Sequence, residues 1–114
     1  MRSDQERLLD IREAIQRIEK YASRGRKAFE TDELLQSWIV RHLQVIGEAS
    51  RALSVEFRSS YPEVPWTKIL GMRNVLVHDY FAIDKDVVWT VVERDLQDLK
   101  TKVEEILRKL GGLT

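Results

Sequence analysis

The 114-residue sequence contains no cysteine, two prolines and two histidines. Without cysteine there can be no disulfide, no thiolate metal site and no cysteine nucleophile. His42 and His78 leave little material for a zinc site, and neither a metal nor another cofactor is expected. Excess charge of either sign is also lacking: 19 Lys and Arg balance 19 Asp and Glu. No global field therefore draws the chain onto nucleic acid, and any RNA contact must come from a local cluster or from two subunits combined. No apolar run approaches the roughly 18 to 20 residues that span a bilayer. The N-terminus Met1-Arg-Ser-Asp-Gln-Glu-Arg lacks the apolar stretch of a secretory signal. A cytoplasmic address is the expectation.

What remains is a chain that is 43% hydrophobic and 33% charged, the balance of a soluble protein whose helices have charged outer faces. Its length suits one domain over residues 1–114. Ser3 and Glu6 have the spacing of a capping box, and Leu8, Ile11, Ile15, Ile18 and Ala22 follow at helical steps. That predicts a helix over about residues 4 to 23. Arg24-Gly-Arg-Lys27 breaks it, and Thr31 is a plausible N-cap with Asp32 and Glu33 in the first turn, where the helix dipole favours acids. The second helix, with a broad apolar face through Leu35, Ile39, Ile46 and Leu53, is expected to reach about Phe57 and to touch two neighbours.

Both prolines fall between Arg58 and Pro65, where the chain turns, and Pro65 suits the first position of a third helix through Trp66, Ile69 and Met72. Asp84 reads as the N-cap of a last helix, with Ile83 and Val88 as a hydrophobic staple and Gly111-Gly112 as its end. The cluster Val87, Val88, Val91 and Val92 has strand-like composition, but a sustained 3.6-residue pattern with no hairpin signal favours helix. Gly47 and Gly71 lie inside helices at a cost of about 1 kcal/mol each, usually compensated by close helix approach. The expected architecture is all-α, an antiparallel four-helix bundle.

Chemistry concentrates in one place. Arg73, Asn74, His78, Asp79 and Tyr80 put five capable side chains into eight residues around Val75, Leu76 and Val77. Histidine takes or gives a proton near neutral pH, and arginine holds a phosphate through two parallel hydrogen bonds. Attack of a ribose 2′-hydroxyl on the adjacent phosphorus needs a base, an acid and stabilisation of extra negative charge. One His–Arg pair does not easily supply all three, so a ribonuclease built on this segment would be expected to form a twofold dimer.

Residues five apart diverge by about 140° on a straight helix, so Arg73 and His78 need a bend or a shared cleft. Asn74, four residues before His78, can orient its ring, and Asp79 can do so too or simply cap a turn. On spacing alone the bland alternative stands beside this one: a histidine complementing a helix C-terminus and an arginine in a surface ion pair.

Elsewhere the readings are plainer. Arg41, Gln44, Glu48 and Arg51 draw a polar stripe on the second helix. It is either a solvated face or the border of a cleft near His78, with Glu48 paired to a basic residue there. His42 reads as a packed or partly exposed helical histidine, and Trp38, Trp66 and Trp89 as core anchors. Arg24, Arg26 and Lys27 form the one compact basic run, able to touch RNA backbone or merely to solubilise a loop.

The segment Arg73 to Tyr80, an arginine, four residues, a histidine, one residue and a tyrosine, resembles the signature of the HepT-like toxins of the HEPN superfamily. Ile46-Gly-Glu-Ala49, Val64-Pro-Trp66, Gly71 to Phe81 and Trp89 follow that family in the same order. The resemblance implies a HEPN-like bundle that forms a homodimer. In it Arg73 and His78 of both protomers would line one cleft as an endoribonuclease site needing no metal, with Asn74 orienting. It also implies a toxin–antitoxin pair with a minimal nucleotidyltransferase of the MntA type, which transfers AMP from ATP to the motif tyrosine, here Tyr80. The alternative is an inactive helical dimer that serves as a nucleotide- or nucleotidyltransferase-binding module.

Overall fold

The computed structural model describes residues 2–71 and 84–111, and among these there is helix and no strand. Helix α1 spans Asp4–Ala22. Its capping box forms as expected: the Glu6 amide donates to the Ser3 hydroxyl at 3.1 Å and the Ser3 amide to the Glu6 carboxylate at 3.2 Å. These bonds favour the charged carboxylate, so Glu6 titrates below the ordinary range, chiefly through the backbone bond at Ser3. Leu8, Ile11, Ile15 and Ile18 are fully buried.

The break after α1 holds more structure than the sequence suggests. Gly25, at φ +94°, takes a backbone conformation that a side chain would oppose, and a short helix α2, Arg26–Thr31, follows at once. Thr31 is therefore not an N-cap, because its hydroxyl bonds back to the Lys27 carbonyl at 3.1 Å. The cap is Asp32, whose carboxylate accepts from the Leu34 and Leu35 amides at 2.9 and 3.2 Å. It opens α3, Glu33–Ala52.

Helix α3 stops five residues short of the expected Phe57. Leu53 and Ser54 are extended, and Ser54 caps a separate helix α4, Val55–Ser60. The break is held from outside: the Asp4 carboxylate accepts from the Ser54 amide and hydroxyl, both at 2.9 Å. Residues 66–71 are helical (α5), with Pro65 supplying the carbonyl that accepts from the Ile69 amide at 3.1 Å. Met72 and Ile83, and with Ile83 the expected staple, lie outside the described residues.

Asp84 caps α6, Lys85–Thr90, as expected, accepting from the Val87 amide at 3.1 Å. The valine-rich stretch is helical, yet Val91–Asp95 forms a π turn before α7, Leu96–Lys109. Gly111 ends it at φ +76°.

Side-chain pairs fix the directions. Asp4 meets Ser54 at one end of the α1–α3 pair, and Tyr21 meets Trp38 at the other, so these helices are antiparallel. Arg12 pairs with Glu104 and Glu19 with Lys100, so α7 is antiparallel to α1. Helix α3 packs on both α1 and α2, which accounts for its wide apolar face. Gly47 is buried in α3, whereas among the described residues nothing lies within 4 Å of a Cβ built on Gly71. No helix among the described residues is long and apolar enough to cross a membrane.

The tryptophans serve packing. Trp66 and Trp89 are buried, and Trp38, half-buried, donates its indole N–H to the Arg17 carbonyl at 2.9 Å. His42 is packed, only 7% exposed, with its ring 4.5 Å from that of Trp38.

Burial pushes the His42 imidazole below its ordinary value of 6.5; Arg17 and Arg41 lower it further, while Glu13 opposes them. A base whose folded pKa is depressed binds its proton more readily unfolded. Its effect on stability is absent well above pH 6.5, and stability falls as pH drops below about 6.5 until the folded pKa is passed. Denaturant titrations of the native chain and His42→Gln should diverge in their pH dependence over that window, with the variant the flatter. Parallel curves would remove His42 from the acid response.

Candidate active site

Arg73, Asn74, His78, Asp79 and Tyr80 all lie outside the described residues. The described residues form the frame at both ends of their segment. On the leading side, Trp66 and Ile69 are buried, and the Trp66 indole N–H donates to the Tyr61 carbonyl at 3.0 Å. Burying an indole with its N–H satisfied avoids the cost of an unpaired donor, so the turn through Pro62 and Pro65 is tied to α5.

On the trailing side, α6 carries Val88 and Trp89 into the core, where Trp89 meets Phe29 of α2 with centroids 5.4 Å apart. Two polar links reinforce this contact. Lys85 Nζ donates to the Glu30 carbonyl at 3.2 Å, and Arg26 bridges Glu30 and Asp86, which raises the Arg26 pKa further above its ordinary value, chiefly through Glu30. Buried Gln36 of α3 steadies the same point, its amide donating to the Phe29 and Glu30 carbonyls at 2.9 and 3.3 Å. None of these links was legible as part of a site, because each joins residues far apart in sequence with no motif around them.

Between the two sides lies a cavity of about 360 Å³. Ile69 and Lys68 of α5 line one wall, Val87 and Val91 the other, and Leu43 and Leu99 the floor. Lys68 and Asp95 pair across its rim at 3.4 Å. Ile69 and Val87, which line this apolar groove, lie within a few residues of the two ends of the described structure at Gly71 and Asp84.

Glu48 stands exposed on α3, as do Arg41 and Arg51, with Gln44 half-buried; the cleft near His78 that the stripe is expected to border lies outside the described residues. No group of three or more His, Asp or Glu side chains is gathered as a metal site would gather them among the described residues.

Comparison with known proteins supplies the remaining observations. The family described as Ribonuclease HepT-like matches residues 11–106. A protein of Thermococcus cleftensis provisionally named ribonuclease HepT is 38% identical over 106 residues, covering 92% of this chain and 96% of its own. One from Methanocaldococcus jannaschii, provisionally named an RNase, is 40% identical over 76 residues, 67% of this chain and 70% of its own. Another, from Caldanaerobacter subterraneus subsp. tengcongensis and likewise provisionally named, is 37% identical over 92 residues, 81% and 82%. No solved structure matches.

Proposed function

The chain belongs to the HepT-like ribonuclease family, and from that footing we propose that it is the endoribonuclease toxin of a toxin–antitoxin pair. The observation that carries the reading is that the matched range, 11–106, contains the whole segment from Arg73 to Tyr80. In the proposed reaction a ribose 2′-oxygen attacks the neighbouring phosphorus, the 5′-oxygen leaves with a proton, and a 2′,3′-cyclic phosphate forms. His78 moves the proton, Arg73 holds the phosphate as its charge grows, and Asn74 and Asp79 orient the imidazole. Glu48 is the remaining candidate, as a supporting group on α3.

A second protomer supplies the complementary acid or base, so the working form is a homodimer with Arg73 and His78 of both copies in one cleft. The apolar groove between α5 and α6 is the face we assign to that contact. It adjoins both ends of the segment, and Val87 on its wall stays 45% exposed in the single chain, apolar area that association would cover.

Control is assigned to Tyr80. A cognate nucleotidyltransferase of the MntA type would direct the Tyr80 hydroxyl oxygen at the α-phosphorus of ATP, releasing pyrophosphate and the phenolic proton and leaving AMP on the ring. Bulk and negative charge two residues from His78 would then oppose an anionic substrate.

One experiment tests the scheme. The purified chain should cut single-stranded RNA to fragments with cyclic phosphate ends, then gain the mass of one AMP and lose that activity on incubation with the nucleotidyltransferase and ATP. A Tyr80→Phe chain that gains the same mass would overturn the Tyr80 assignment. No RNA turnover by the unmodified chain would favour the non-enzymatic binding module instead.

A further inference from the structure

A chain with no net charge needs a local surface on which to hold a polyanion, and the α1–α3 face at the Gly25 end of the bundle has one. Tyr21 and Trp38 meet edge to face with centroids 5.1 Å apart. Lys20 Nζ and the Arg24 guanidinium lie 5.6 and 5.9 Å from the centre of the Tyr21 ring. A hollow of about 200 Å³ opens beside the two rings, lined also by Arg24, Asp32, Leu34 and Leu35. Leu34 is 84% exposed, an apolar side chain left at the rim of an aromatic hollow. The walls are fixed: Trp38 is tied through its indole N–H to Arg17, and Asp32 is spent on capping α3 and on an ion pair with Arg24 at 3.8 Å.

Position adds to this. The turn carrying Arg24 and Arg26 touches the start of α6 through Arg26 to Asp86, and α2 does so through Lys85 to the Glu30 carbonyl. The hollow therefore sits at the end of the bundle where the chain returns from the segment bearing Arg73 and His78. Of the basic run, Arg26 is committed to Glu30 and Asp86, Arg24 pairs with Asp32 and Lys27 is exposed, as is Lys20 on α1.

We infer that this hollow receives one unpaired nucleobase of an RNA strand whose flanking phosphates rest on Lys20, Arg24 and Lys27, outside the reacting centre. The inference rests on the ribonuclease reading for its choice of polymer. A volume near 200 Å³ is below that of drug-sized ligand sites and suits a single flat ring system. Aromatic walls with cations beside them are how proteins hold single strands without reading sequence. Bases stacked within a duplex could not reach it, so single-stranded RNA is preferred.

The test measures binding of the full chain to a fluorescent 2′-O-methyl RNA of about a dozen unpaired nucleotides, which lacks the hydroxyl that attacks. Lys20→Ala/Arg24→Ala and, separately, Leu34→Glu should each weaken binding by about tenfold with thermal midpoints unchanged. The double variant should also flatten the salt dependence by about 1.4, or 0.7 for each lost phosphate contact. Native affinity in both folded variants overturns the inference, as does a native chain that binds no RNA or prefers duplex.

RNA binding that is intact while the complex with the nucleotidyltransferase is lost would also overturn it, and would give this face to the partner protein. A native chain that binds through this face yet cleaves nothing supports the inference and defeats the ribonuclease reading. A chain that cleaves RNA while both variants bind normally does the reverse.

Discussion

Replacing His78 with alanine should lower RNA cleavage by about 10²- to 10⁴-fold, the usual contribution of a positioned proton-transfer group, and end growth arrest in cells that express the chain. The expectation follows from scarcity as much as from motif. Imidazole is the one side chain with an unperturbed pKa in the physiological range, and the only other copy, His42, is buried against Trp38. That ring has no spare exposure for a substrate, so no second histidine stands ready to substitute. The thermal midpoint of the variant should stay near that of the native chain. Growth arrest that persists in His78→Ala would sink the assignment of His78. A large loss of stability would instead assign the residue to the structure.

The second large effect is thermodynamic. Phe29→Ala should destabilise the chain by about 3–5 kcal/mol, the range for removing a buried phenyl ring. Phe29 is fully buried, and its ring is the apolar link between α2 and Trp89 of α6. Its carbonyl is also held by Gln36, so the backbone of α2 cannot readily collapse into the space. Against a total of about 5–15 kcal/mol for a domain, a loss of that size should shift the denaturant midpoint severely. Activity should fall with it, because this contact anchors the chain where it returns from the motif segment. A loss below about 1 kcal/mol would show that the α2–α6 contact does not hold the fold.

Much of the fold was legible because its signals are local. The Ser3–Glu6 box, the Asp84 cap, the Gly111 stop and the apolar periodicity of α1 and α7 each announce a helix within a few residues. What escaped is set by distant partners. The end of α3 depends on Asp4 reaching Ser54, fifty positions away, and the one local mark between Ala52 and Phe57 is Ser54 itself, as the cap of α4. The helix Arg26–Thr31 looked like a break because Gly25 dominates the stretch, and only its contacts with α3 and α6 make six residues of helix worthwhile.

The π turn has no glycine or proline to announce it. For the site, residue types and spacing identified where chemistry concentrates, at Arg73 to Tyr80. The supports around it, Phe29, Gln36, Lys85 and Arg26, became visible only as three-dimensional neighbours.

The π turn at Val91–Asp95 bears on how this chain can change over time. A wide turn takes up a residue that an α-helix would spend on further rotation, so the stretches before and after it keep the relative phase of a helix one residue shorter. Removing one residue there would let the wide turn close to an α turn with Trp89 still on Phe29, whereas removing one within α7 would swing the residues beyond it by about 100° and turn Val103 and Ile106 away from α1. A change of one residue in length is therefore tolerated at Val91–Asp95, while insertions and deletions within α6 or α7 are barred.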